Sequence, residues 1–302
     1  MNDRTLPGDI LRTVTYFDLF AYPVTEDQIY AFLQRNSVTR EDVRDVAEGL
    51  VEEGRLARSG EYYFLADRPA SAAAERRNGE REAERMLTIA RSVARLMKRV
   101  PFIRAVFITG SLSKSIADRK SDIDFMIVTA PGRLWIVRSL LTLIRKLFLL
   151  GSRKYFCTNY YVTENGFPLR RRNLYTAIET VTVKPVWDDG SFERFQEQNA
   201  WTRDFLPNMH PAADPALLIA PRHSLLQRIT ERLLELLPLD AADTRLMEVH
   251  RSHWMNVYRH LDKERLASMF IITPDVSASW PEDRQVPVLT RYHERLTAMG
   301  LH

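Results

Sequence analysis

Two aspartates separated by one apolar residue, Asp122 and Asp124, are the residues of this chain best suited to chemistry. They open an apolar run, residues 125–128, that is typical of a buried β-strand. Alternate side chains of a strand share a face, so the two carboxylates are expected to point the same way, roughly 6.6 Å apart along the chain. Like charges at that spacing repel unless a cation lies between them, and hard divalent cations bind oxygen ligands. The spacing predicts a metal site; the alternative is a solvated loop that ends in a helix-capping Asp.

A Gly-Ser pair, Gly110 and Ser111, ends a second apolar run about ten residues earlier. Glycine lets the backbone approach a ligand closely and adopt angles closed to other residues. Ser111 offers a hydroxyl and an N–H to a phosphate, and a helix beginning at this point would direct its N-terminus at the same anion. Lys114, within one turn of Ser111, adds positive charge. The pair therefore predicts an anion-binding bend near the aspartates.

This combination of an apolar run, Gly-Ser, about ten residues and Asp-apolar-Asp-apolar resembles the hallmark of the nucleotidyltransferase superfamily of the DNA polymerase β type. The match covers residues 107–128, and the flanking elements extend it to about residue 163. The resemblance implies a transferase that moves a nucleoside monophosphate from a nucleoside triphosphate, ATP among the candidates, to an acceptor. It implies Mg²⁺ or Mn²⁺ as cofactor, with Asp122 and Asp124 as catalytic metal ligands. The nucleotide-binding residues that it implies are Gly110, Ser111, Ser113 and Lys114.

A third carboxylate is implied on the strand after the long helix, but that strand, residues 154–163, contains no acid. Asn159 occupies the equivalent place and is expected either to bind the nucleotide or to be an ordinary polar residue of a half-buried strand. Glu179 is the candidate general base, with Glu164 as another; each is otherwise a surface charge. The missing acid leaves a second function open, a nucleotide-binding regulatory protein whose catalytic activity has decayed.

The elements that must position these residues predict an α+β fold. Residues 101–187 form the predicted nucleotidyltransferase core, a small mixed β-sheet with helices on one side. Its predicted order is strand 105–109, helix 112–118, strand 122–128, helix 132–149, strand 154–163 and helix 173–182. A charged connecting helix is predicted for residues 69–100 and a helical C-terminal domain for residues 188–302.

Residues 1–68 carry the signals of three helices followed by a hairpin. Capping boxes are predicted at Thr25 and Thr39, and Ser59-Gly60 is a candidate hairpin turn. This order resembles a winged helix-turn-helix domain. The third helix is acidic, whereas a DNA-reading helix presents Arg, Lys, Asn or Gln at its exposed N-terminal positions. A structural or partner-docking role is therefore favoured over DNA binding.

Composition narrows the classes of protein. Hydrophobic residues make up 45 % and charged residues 27 %, as in ordinary globular proteins. The net charge of +4 is too small for the dense basic stripe of a dedicated nucleic-acid binder.

Cys157 is the only cysteine and is predicted to be a buried filler; without a disulfide or a signal-peptide pattern, a cytoplasmic location is expected. The longest apolar stretch, residues 134–150, contains three cations, so no membrane association is expected. The acceptor, whether RNA, protein or small molecule, is not specified.

Overall fold

The described residues of the chain form two β-sheets. The structure, a computed structural model, describes residues 5–148, 154–220, 225–279 and 285–301. Helices account for 53 % of the described residues and strands for 14 %, so the predicted α+β class is confirmed. Among the described helices, none has both the length and the apolar character needed to cross a bilayer.

The helices and strands of the described residues are numbered in chain order. The helices are α1 (Leu6–Asp18), α2 (Glu26–Phe32), α3 (Arg40–Glu52), α4 (Ala72–Met97), α5 (Gly110–Ser113), α6 (Leu134–Phe148), α7 (Leu174–Val181), α8 (Ser191–Gln198), α9 (Leu225–Leu234), α10 (Leu239–Val257), α11 (Lys263–Met269) and α12 (Gln285–Ala298). The strands are β1 (Val24–Thr25), β2 (Leu56–Ser59), β3 (Tyr62–Leu65), β4 (Ile103–Ile108), β5 (Asp124–Thr129), β6 (Cys157–Thr163), β7 (Lys184–Trp187), β8 (Phe270–Ile272) and β9 (Val276–Ser279).

The smaller sheet and the first three helices form the N-terminal part. Its strands are antiparallel in the order β1-β3-β2, and β2 and β3 are joined at Gly60, which has φ of +64°. Both predicted capping boxes are present, with Thr25 accepting from the backbone of Gln28 and Thr39 from that of Asp42. The predicted three helices and hairpin are therefore found where their local signals place them.

The larger sheet has six strands in the order β7-β4-β5-β6-β9-β8. Only β5 and β6 run parallel; the other neighbours are antiparallel. The three predicted core strands correspond to β4, β5 and β6, whereas β7, β8 and β9 are not predicted by the sequence. Residues 188–302 are thus not purely helical, because β8 and β9 extend this sheet. The last residue of the predicted helix 132–149 lies outside the described residues.

Helices cover both faces of the larger sheet. On one face, Phe125 and Ile127 belong to a core shared with α4 and α6. On the other face, Phe107 packs edge-on against Phe192 of α8, with ring centroids 5.9 Å apart. The second face is covered by α8, which follows β7, lies outside the predicted core of residues 101–187 and buries its aromatic side chains against the sheet.

A third core joins segments that are distant in sequence. It contains apolar residues of α1, α2 and α3 together with residues of α7 and α12. Tyr292 of α12 lies edge-on to Tyr16 of α1 with centroids 5.5 Å apart, and its hydroxyl donates to the carbonyl of Arg12. The N-terminal helices are thus buried partly by the C-terminal one.

Candidate functional site

Asp122 and Asp124 converge at the start of β5. Ile123 between them is fully buried, its N–H donates to the Lys154 carbonyl at 2.9 Å, and its carbonyl accepts from the Cys157 N–H at 3.1 Å. This extended pairing directs Ile123 into the core, so its two neighbours point to the opposite side. Ligand atoms of Asp122, Asp124 and Cys157 all lie within 4.8 Å of one another. The predicted convergence of the two carboxylates is confirmed.

Cys157 is part of this group, although the sequence predicts only a buried filler. The parallel register of β5 and β6 pairs it directly with Asp124, and it is 2 % exposed. Burial, and then the negative charges of Asp124 and Asp122, raises the pKa of the thiol, so it carries its proton at neutral pH in the absence of a cation. The signal that could have found it is the strand register, which the sequence alone does not specify.

Gly110 brings the backbone bend against Asp124. It has φ of +70°, and a Cβ at this position would lie 2.9 Å from Oδ2 of Asp124. The N–H of Thr109 donates to the backbone carbonyl of Asp124 at 3.0 Å, which fixes the bend at the start of β5. Ser111 is exposed, and its hydroxyl has no hydrogen-bond partner among the residues described. The bend and the carboxylates therefore share one site, and Ser111 is accessible to a ligand there.

The helix after the bend is shorter than predicted and its last serine faces inward. Only Gly110–Ser113 is helical, because Ser115 adopts φ of +58° and the chain turns back. Ser113 is 3 % exposed, and its hydroxyl donates to the Gly110 carbonyl at 2.8 Å. Its predicted contact with the nucleotide does not fit this placement; its hydroxyl supports the bend instead.

Lys114 and Glu179 bind each other. The Lys114 ammonium lies 2.8 Å from Oε1 of Glu179 and 3.1 Å from the Gly110 carbonyl. Lys114 therefore ties the bend to α7, and a triphosphate would compete with Glu179 for its charge. Glu179 does not belong to the close group formed by Asp122, Asp124 and Cys157. Glu179 is instead linked to the bend through Lys114 and lies outside that close group.

Asn159 lies beside Asp124, in the region expected for the third carboxylate. Its side-chain Nδ2 donates to Oδ1 of Asp124 at 3.0 Å. It is the extra residue of a β-bulge, since Phe125 pairs with Thr158 and Met126 with Tyr160. A neutral donor at this position holds Asp124 in place without adding negative charge.

Glu164 is at the other end of the sheet. It follows β6, whose last residue pairs with Thr129, about 16 Å along the strands from Asp124. Its carboxylate accepts from Arg194 at 2.7 Å. Glu164 is therefore excluded as a general base at this site.

No protein-family model, curated protein or solved structure matches this chain. The geometry of the site is therefore the basis for assigning its chemistry. Two half-buried carboxylates that converge beside an open glycine bend can hold a divalent cation and leave room for a second ligand. The thiol of Cys157 adds a softer third donor to the same group.

Proposed function

We propose that this protein is a nucleotidyltransferase that binds a divalent cation and a nucleoside triphosphate at Asp122 and Asp124. The observation that carries the proposal is the convergence of both carboxylates on the side of β5 where the Gly110 bend touches Asp124. A cation site and an anion-binding bend in contact are what a metal–triphosphate complex requires.

Each residue of the group has a definable part in this reaction. Asp122 and Asp124 would hold Mg²⁺ or Mn²⁺, which when bound neutralises charge on the phosphates. The open backbone at Gly110 and the exposed Ser111 would orient the phosphates, while Asn159 holds Asp124. An acceptor hydroxyl oxygen would then bond to the α-phosphorus as the bond to the leaving pyrophosphate breaks, with the hydroxyl proton passing to solvent. Positioning and charge neutralisation would supply most of the rate.

A second function, nucleotide binding without turnover, is favoured by two observations. Asn159 stands beside Asp124 as a neutral donor, and Glu179 is paired with Lys114. Among the described residues, no further carboxylate joins Asp122 and Asp124 to take the proton of an acceptor hydroxyl.

The two functions are separated by measuring binding and transfer together. Each labelled nucleoside triphosphate is incubated with the protein and Mg²⁺ or Mn²⁺, with cell extract as the source of acceptors. We expect Asp122→Ala and Asp124→Ala to lose cation-dependent binding and transfer, while Asp45→Ala, an exposed carboxylate on α3, retains both. Cation-dependent binding without a labelled product would support the second function. Unchanged binding in both aspartate variants would contradict both.

A further inference from the structure

Helix α9 contacts the rest of the protein through polar side chains. Gln227 is fully buried, and its amide donates to the carbonyls of Val100 and Ile103, each at 3.1 Å. Glu231 accepts from Arg104 at 2.9 Å and from the backbone N–H of Phe102. Surface helices normally bury their apolar side and expose their polar side. In α9, Gln227, Glu231 and the apolar Leu234 face the protein, which leaves the other described aliphatic residues outward.

The outward side is a continuous stripe of large aliphatic residues. Its members are 56–82 % exposed: Leu225, Ile229 and Leu233 on α9, and Leu236 and Leu237 in the turn that follows it. They represent on the order of 500 Å² of apolar surface, at the upper end of the ~300–600 Å² patch found on typical monomers. Patches of this size are often functional.

We propose that this stripe is covered by the α9 stripe of a second copy of the chain, in antiparallel orientation. Positions 225, 229 and 233 of α9, and 237 in the turn that follows it, are each four residues apart, so the pattern is the same in both directions. An antiparallel copy centred on position 231 places Leu225 opposite Leu237 and Ile229 opposite Leu233. Rows of side chains at four-residue spacing pack into each other in the commonest class of helix pairs.

The charges beside the stripe match the same arrangement. Arg228 is exposed on α9, and Glu235, also exposed, follows its last residue with its N–H still bonded to the Glu231 carbonyl at 2.9 Å. The two therefore lie about two turns apart and flank the stripe on the same side. In the antiparallel pair, Arg228 of each copy lies within one residue of the level of Glu235 in the other, which gives two opposite-charge contacts. A parallel pair would place like charges at the same level. The stripe also lacks the aromatic residues and lysines typical of helices that bind membrane surfaces.

The area of the two stripes is compatible with a weakly associating dimer. With the flanking side chains, the two stripes approach the lower limit of about 1,200 Å² for a specific interface. The proposal is independent of the nucleotidyl-transfer function, since α9 contributes nothing to the group at Asp122 and Asp124.

The mass of the full-length protein tests the proposal directly. Analytical ultracentrifugation over a concentration series is expected to give twice the 35.1 kDa of one chain at high concentration. Ile229→Glu and Leu233→Glu should weaken dimerisation about tenfold or more, because each buries a charge twice in the contact. Leu96→Glu, at an equally exposed leucine of α4, should leave dimerisation unchanged. Circular dichroism checks that all variants fold. A monomer at every concentration would overturn the proposal, as would a dimer unaffected by the α9 substitutions.

Cross-linking tests the orientation. Because the native Cys157 is buried, it should not form disulfides between chains. Any cross-link therefore comes from the introduced cysteines. A mixture of Ile229→Cys and Leu233→Cys chains is expected to form disulfide-linked dimers faster than either chain by itself. Faster linkage within each single variant would overturn antiparallel pairing. A wild-type protein that stays monomeric and sediments with vesicles of anionic phospholipid would overturn the second copy as the occupant in favour of a lipid surface.

Discussion

At the scale of single residues, Asn159 determines how much negative charge the site carries. Replacing it with Asp puts a third carboxylate about 3.0 Å from Oδ1 of Asp124 and removes a hydrogen bond to a charged group, which is typically worth about 1.5–3 kcal/mol. We therefore expect Asn159→Asp to unfold at lower temperature than the wild type in chelator, and to gain more stability from Mn²⁺. Thermal unfolding with and without the cation measures both effects. Asn159→Ala loses the hydrogen bond without adding a ligand, so it should show the first effect alone. An equal gain from Mn²⁺ in all three proteins would contradict the prediction.

Two glycine substitutions distinguish the free-energy cost of a positive φ from the effect of the contact between Gly110 and Asp124. Gly110→Ala should lose roughly 1–2 kcal/mol through the positive φ, and its Cβ must also displace the carboxylate 2.9 Å away. Gly60→Ala is the matched control, since it has φ of +64° but nothing within 4 Å of the added Cβ. We expect both variants to be destabilised and only Gly110→Ala to lose cation-dependent stabilisation. Retained cation binding in Gly110→Ala would mean that the bend does not constrain the carboxylate.

At the scale of elements, the contact of α6 with α10 makes stability depend on pH. His250 of α10 lies 3.0 Å from the Ser139 hydroxyl, and burial, followed by the positive charges of Arg138, His253 and Lys146, lowers its pKa to about 4. The unfolded chain, with a pKa near 6.5, therefore takes up the proton first as the pH falls. The folded state keeps its full advantage above about pH 6.5 and loses on the order of 1–3 kcal/mol between there and pH 4.

Urea unfolding at pH 7 and pH 5 measures this loss. The variant His250→Gln should be less sensitive to pH over this interval than the wild type, because it cannot bind the proton in either state. His260→Gln, at an exposed histidine, should keep the wild-type dependence. Identical pH dependence in all three proteins would show that His250 does not titrate differently on folding.

The elements also differ in how well the sequence predicts them. The capping boxes at Thr25 and Thr39 and the convergence of Asp122 with Asp124 depend on residues within a few positions of each other, and these predictions are confirmed. The placement of Cys157 depends on the register between two strands about thirty residues apart. The strands β7, β8 and β9 have three or four residues each, too few to give a periodic signal. Non-local pairing therefore accounts for most of what the sequence leaves open.

At the scale of the whole molecule, the N-terminal helices depend on residues far along the chain. Their core includes Leu174 and Ile178 of α7 and Leu296 of α12, all of which are nearly or fully buried. A fragment of residues 1–68 lacks these contacts, so we expect it to show no near-ultraviolet circular dichroism. In the full chain, Leu296→Ala should cost about 2–5 kcal/mol, as for other buried leucines, whereas Leu96→Ala at an exposed position of α4 should cost little.

Tryptophan fluorescence can show whether the loss of stability caused by Leu296→Ala extends beyond the N-terminal helices. Residues 1–68 contain no tryptophan, but Trp201 belongs to their core, so the fluorescence is measured in a Trp201→Phe background, where it reports on the remainder. Far-ultraviolet circular dichroism includes α1, α2 and α3. Because α7 and α12 are shared between the N-terminal core and the remainder, both signals should change in one coincident transition, shifted equally by Leu296→Ala. An early circular-dichroism transition with unchanged fluorescence would instead identify residues 1–68 as an independent folding unit, joined to the rest only by contact.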